Sequence, residues 1–263
     1  GDDNVLYGAL TNGIYRESNG TFYQLGKDFY GTLSDVQGVI VRDTNNIFLL
    51  SSAHGINHLK RENEFDLNQV GTWGMYDYER ISDSLVLVLG KGSVYTFNLY
   101  TYETIFTFDF YQDNGEYGVI YSMQRDLNNN IWLGRYDDGA IIKITSTDTI
   151  QYNSENGLPD GAIVDLQLDN EGDLWFLTTD GHLGYEKDGH FTWFPSLVET
   201  TAGAFTFDKN GNVWIGNAYG VLFLEIKNDL IISSRQFNKY DGIDETETPD
   251  KKIQLTPDNR ILV

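Results

Sequence analysis

The chain has 263 residues, with 39 acidic side chains against 18 basic ones, a formal net charge of −21 and no cysteine. That charge repels phosphate backbones and anionic membrane surfaces, so it speaks against nucleic acid as a partner, and more weakly against sulfated glycans. The lack of cysteine excludes disulfides and thiolate metal sites, and with no run of eighteen apolar residues no membrane insertion is expected of this stretch.

In chain order, one grammar recurs: a polar residue, a short apolar run, then a glycine-led segment. It occurs at Asn4 to Gly8, Asn46 to Leu50, Ser84 to Leu87, Asn130 to Gly134, Asp173 to Leu177, Asn212 to Gly216 and Arg260 to Val263. With Leu6, Phe48, Val86, Trp132, Trp175, Trp214 and Leu262 as equivalents, the spacings are 42, 38, 46, 43, 39 and 48 residues. A period near forty without helical patterning points to propeller blades.

The copy between 162 and 194 shows how one unit parses. Ala162 to Leu168 alternates apolar and polar residues, as a half-buried strand does. Asp169-Asn170-Glu171-Gly172 is a turn, because Asp and Asn tolerate left-handed geometry and Gly removes its cost. Leu174 to Thr178, Leu183 to Glu186 and His190 to Phe194 are the next three strands. Equivalent first turns lie at Asp43, Asp126 and Asp208. The expected fold class is therefore all-β: a β-propeller of four-stranded blades, as one domain over residues 1–263 with six repeats and a partial seventh. Second strands are expected at both ends, Val5 to Leu10 and Ile261 to Val263. A truncated seven-bladed parent accounts for this, with a six-bladed ring closed by Lys251 to Pro257 as the rival.

Residues 128–144, 156–194 and 208–225 resemble the two-component-regulator propeller repeat, with Gly157-Leu158-Pro159, Asp169, Gly172, Trp175 and Gly181 matching its pattern. The resemblance implies the periplasmic sensor region of hybrid two-component regulators in gut Bacteroidetes, which respond to polysaccharide breakdown products. It thus implies a non-catalytic ligand sensor or scaffold with no cofactor, in a periplasmic or extracellular location. With no kinase, receiver or DNA-binding segment here, the chain would be a portion of such a sensor. The stretch Gly172 to Glu186 also resembles the streptogramin-lyase repeat, which implies a metal and a catalytic histidine, with His54 or His182 as the residues that could stand there. A third reading is a docking scaffold for a second sensor chain or a homodimer partner.

In a propeller, the loop between the second and third strands shares a face with the loop leading into the next blade, and ligands bind there. On that face fall Ser52, His54, Trp73, Tyr76, Tyr117, Arg135, Tyr136, Asp137, Asp160, His182 and Tyr219. Aromatic plates for a sugar ring, with Asp or Arg for its hydroxyls, suit an oligosaccharide. Each of these residues also has a plain reading as loop packing.

Trp132, Trp175, Trp214 and Phe48 recur within a buried strand, which assigns them to the core between blades. No metal site is expected: the turns at Asp169 and Asp208 begin like a calcium loop but lack Gly at its sixth position and Glu at its twelfth. His54 and His58 lie about 13 Å apart along an extended strand, too far to share an ion. Asp137 and Asp138 read as a solvated turn.

Overall fold

The computed structural model describes residues 7–10, 13–18, 21–24, 36–43, 45–61, 65–70, 75–110, 119–198, 201–243, 253–255 and 261–262. The chain divides into two compact units, Gly1–Glu116 and Tyr117–Val263. Unit one holds a sheet of β1 (Tyr7–Leu10), β2 (Gly13–Ser18) and β3 (Thr21–Gln24). Its second sheet is β4 (Val36–Asp43), β5 (Asn46–Ser51), β6 (Gly55–Arg61) and β7 (Phe65–Gln69); its third is β8 (Met75–Arg80), β9 (Leu85–Gly90), β10 (Ser93–Asn98) and β11 (Thr104–Asp109).

Unit two continues with β12 (Ile120–Arg125), β13 (Ile131–Arg135), β14 (Ile141–Ile144) and β15 (Thr149–Tyr152). A second sheet comprises β16 (Ile163–Leu168), β17 (Leu174–Thr178), β18 (Leu183–Lys187) and β19 (His190–Trp193). A third comprises β20 (Ala202–Phe207), β21 (Val213–Asn217), β22 (Gly220–Lys227) and β23 (Leu230–Phe237), and β24 (Gln254–Leu255) pairs with β25 (Ile261–Leu262). Every four-stranded sheet is an antiparallel meander in sequence order. The strands expected between 162 and 194 match β16 to β19 within a residue at each end.

Burial explains the apolar pattern. The second strands β13 and β17 are buried at every position, because neighbouring strands flank them and other sheets of the unit cover their faces. Such strands read as continuous apolar runs, whereas the outer β15 and β19 are largely exposed and read as polar. First strands lie side by side, β12 against β16, β16 against β20 and, in unit one, β4 against β8. Trp132 and Ile141 pack on Ile163, Leu166 and Phe176 of the next sheet, while Trp175 and Leu177 pack on Phe205, Phe207 and Ile215. In unit one, Phe48 and Leu50 pack on Val86, Val88 and Phe97. Gly134 is required by this close approach, since a Cβ there would sit 2.6 Å from Ile163 Cγ2.

The Asp-led turns have a shared internal wiring. In the first, Asp126 Oδ1 accepts from the backbone N–H groups of Asn128 and Asn130, while Oδ2 accepts from Asn130 Nδ2 and, at 3.0 Å, from Trp132 Nε1. Asp208 repeats the pattern with Asn210, Asn212 and Trp214, and Asp169 bonds Glu171, Asp173 and the Trp175 indole. The tryptophan thus buries its ring between sheets and satisfies its one donor on the turn that starts its own strand. Burial pushes the Asp126 and Asp208 carboxyls up, but the donors around them outweigh it and hold both below the usual carboxylate value of 3.8.

Two details differ from the sequence reading. Ser51, Gly90, Arg135, Thr178 and Asn217 each pair with the first residue of the preceding strand. Counting back three residues from each puts Leu87, not Val86, in register with Phe48 and the tryptophans. Both are buried valines or leucines, so hydrophobicity alone cannot choose between them. Trp214, expected in the core between blades, is half-buried, and its described ring contacts are with Phe223 and Phe237 of its own sheet.

Candidate functional site

Each first strand of a four-stranded sheet has an unpaired residue next to its first residue, where the register shifts: Gln37, Tyr76, Tyr121, Val164 and Gly203, and β4 shifts a second time at Arg42. A bulge re-aims the side chain of the extra residue. The residue after it stitches to the next sheet: Ser122 Oγ accepts from Leu166 N, and Asp165 Oδ2 from Phe205 N.

In unit two the bulge brings Tyr121 to the face expected to bind ligand. Its ring lies 4.8 Å from that of Tyr136, and both are 44% exposed. The adjoining Arg135 is buried, its guanidinium 3.1 Å from Asp138 Oδ2 and 3.8 Å from Asp137 Oδ1. Asp137 also accepts from Val119 N, and Tyr136 N donates to Val119 O. Arg135, expected to face ligand, is therefore committed to two carboxylates and shapes the loop that presents Tyr136.

A cavity of about 350 Å³ lies on the same face in the following repeat, lined by Ser154, Leu158, Pro159, Asp160, Asp180, His182 and Trp193. Thr178, buried at the end of β17, organises its floor: Thr178 Oγ1 donates to Asp180 Oδ1 at 2.6 Å and accepts from His182 N at 2.9 Å. His182 Nδ1 lies 3.3 Å from Asp180 Oδ1, and the His182 ring meets Trp193 edge-on at 5.1 Å. Burial pushes the Asp180 carboxyl up, yet the Thr178 hydroxyl and the His182 charge hold it below the usual 3.8. Gly161, at φ +120°, lets the loop close over this carboxylate, since a Cβ there would stand 2.5 Å from Asp180 Oδ1.

The remaining expected residues are dispersed. Trp73 and Tyr117 lie outside the described residues. Tyr76 is half-buried at the bulge of β8, the position equivalent to Tyr121. Tyr219 is exposed in the β21–β22 turn, where its N–H bonds Asn217 Oδ1. Ser52 and His54 belong to the β5–β6 loop, and His54 N bonds Ser51 Oγ. No group of three or more His, Asp or Glu placed to hold a metal occurs among the described residues.

Sequence reasoning missed Tyr121, Asp180 and Trp193. Tyr121 was findable as the residue equivalent to Tyr76 in the next repeat, and Trp193 as a tryptophan outside the repeat position. It also missed a polar chain in unit one, at the opposite end of the strands. Asn46 donates its amide to Asp43, so its Oδ1 faces His58 Nε2 at 2.9 Å, and His58 Nδ1 takes the Tyr102 hydroxyl at 2.7 Å. With the Asn46 oxygen as acceptor, Nε2 carries a proton, and a neutral imidazole then leaves Nδ1 to accept from the Tyr102 hydroxyl. The ring stacks on Phe48 at 4.4 Å, and burial, with the nearby Arg42 and Lys60, pulls its pKa below 6.5.

Against known proteins, residues 157–180 match the sequence model of the two-component regulator propeller. Among curated proteins none matches the sequence. The fold is that of β-propellers in solved structures. The extracellular domain of a B. thetaiotaomicron hybrid two-component system superposes with TM-score 0.73 at 15% identity, over 99% of this chain and 36% of that one. The extracellular domain of a B. thetaiotaomicron one-component system gives 0.76 at 14%, over 99% and 35%. A streptogramin B lyase gives 0.71 at 17%, over 99% and 87%. The chain spans about a third of the length of the two extracellular domains. No helix among the described residues is long and apolar enough to cross a membrane.

Proposed function

We propose that this chain is a non-catalytic, ligand-sensing propeller of a two-component regulator, periplasmic or extracellular, that binds an oligosaccharide on the face carrying Tyr121 and Tyr136. The observation that carries the reading is the coincidence of two features in unit two. The segment that matches the two-component regulator propeller, 157–180, contributes Leu158, Pro159, Asp160 and Asp180 to the cavity lining, and the adjacent repeat adds the exposed tyrosine pair. Paired aromatic rings stack on the apolar face of a sugar, and flanking carboxylates accept from its hydroxyls.

Calorimetric titration of the chain with neutral oligosaccharides tests this. Saturable binding that weakens at least tenfold in Tyr136→Ala and in Tyr121→Ala is expected. No binding by any neutral or acidic glycan would overturn it and favour a docking scaffold for a second sensor chain.

The lyase reading draws on the extent of the likeness to a streptogramin B lyase, most of whose length superposes. It requires turnover of a streptogramin with added divalent metal that is lost in His182→Ala.

A further inference from the structure

Trp193 differs from the other described tryptophans. Trp132, Trp175 and Trp214 each donate their indole N–H to a turn carboxylate, whereas Trp193 stands on the outer strand β19, opposite Gly184 and 41% exposed. Exposing an indole forgoes the burial that the repeat gives the others, and here the ring instead forms the wall of the cavity. We propose that this cavity is a second ligand subsite, in the repeat after the Tyr121–Tyr136 pair, that takes a single sugar ring bearing hydrogen-bond donors and no anionic group. The inference rests on the glycan reading above and supplies it with a further contact.

Three observations select the ligand class. First, about 350 Å³ lies at the small end of ligand clefts, roughly 300–1,000 Å³, which suits a ring rather than a chain. Second, the wall pairs an aromatic plate with a polar side: Trp193 stands perpendicular to His182 at 85°, and Asp160 and Asp180 flank them. Third, the lining holds two carboxylates and neither lysine nor arginine among the described residues. Acceptors therefore outnumber donors, so a ligand must bring hydroxyl or amino hydrogens, and a carboxylate or sulfate on it would meet two carboxylates offset only by the one histidine, His182.

The subsite is also built rather than incidental. Thr178 fixes both Asp180 and His182, and Gly139 and Gly161 let their two loops interlock: a Cβ on Gly139 would meet Gly161 O at 2.2 Å. That interlock ties the loop of Tyr136 to the loop of Asp160, so a glycan spanning both sites would touch two repeats through one rigid joint.

The test follows the indole N–H resonances of the 15N-labelled chain during titration with glucose, glucosamine and glucuronate at matched millimolar concentrations. The Trp193 signal is assigned by its loss in Trp193→Phe. A saturable shift of that signal with glucose and glucosamine, at least tenfold weaker with glucuronate, is expected. Asp160→Asn should narrow the discrimination against glucuronate, and Tyr136→Ala should leave the Trp193 response in place. An unmoved Trp193 signal, or equal response to glucuronate, overturns the subsite. If longer glycans then still bind in a Tyr136-dependent way, the sensor reading stands alone. If Trp193 responds while Tyr121→Ala and Tyr136→Ala leave glycan affinity unchanged, the subsite stands and the tyrosine face falls.

Discussion

In unit two the carboxylate of Asp126 closes its turn onto Asn130 and onto the indole of Trp132, whereas in unit one Asp43 closes onto Asn46 and the following aromatic is Phe48, which has no donor to give. The missing indole is replaced from outside the turn. His58 stacks on Phe48, bonds the Asn46 that Asp43 holds, and is held in turn by Tyr102 from the neighbouring sheet. Both regions thus anchor a buried aromatic to an acidic turn, one through a single residue and the other through a four-residue chain. The first arrangement is local and depends only on a carboxylate being ionised. The second spans two sheets and depends on an imidazole being neutral, so the two regions should fail at different places and at different pH.

The largest effect that would sharpen this contrast is Trp132→Ala. It opens a core cavity and strips Asp126 of a donor, at a cost of roughly 3–5 kcal/mol in chemical denaturation. Asp126→Ala should cost about 2–3 kcal/mol, since several donors on one half-buried turn lose their acceptor, and Asp43→Ala at the more exposed turn should cost less. Equal losses would break the contrast.

Gly161→Ala forces a side chain into a left-handed backbone position against Asp180. A loss of roughly 1–3 kcal/mol and weakened glycan binding are expected in parallel melting and titration experiments. The smallest effect is one of pH. A histidine whose folded pKa lies below 6.5 contributes stability that is present above 6.5 and lost as pH falls through the folded value. Hydrogen-exchange protection factors around 46–60 and 98–104 should therefore fall below about pH 6.5, and His58→Gln should remove that step. For Asp126 and Asp208 the stabilising contribution is present above 3.8 and lost as pH falls through their lower folded values, so exchange near Trp132 and Trp214 should not respond until far more acid conditions. Simultaneous loss of protection near pH 6 in both regions would mean that His58 is not the weak point.

The sequence by itself determined the meander, its period and its turns. Asp-x-x-Gly chemistry, alternation in first strands and unbroken apolar runs in second strands are all properties of neighbouring residues, and β16 to β19 fell where those patterns put them. It also placed Asp160 and His182 on one face, because strand order alone decides which loops share an end. Only the tertiary structure decided which residues meet there. The bulge that turns Tyr121 toward Tyr136 depends on pairing with β13, and the choice of Leu87 over Val86 depends on register with β8. The joining of Trp193 to His182 and Asp160 depends on a loop from the preceding sheet folding over the cavity. Half-burial of Trp214 and engagement of Arg135 by two aspartates have the same origin. Hydrophobic period and turn chemistry act over a few residues, whereas register, bulges and loop contacts are settled by packing between segments tens of residues apart.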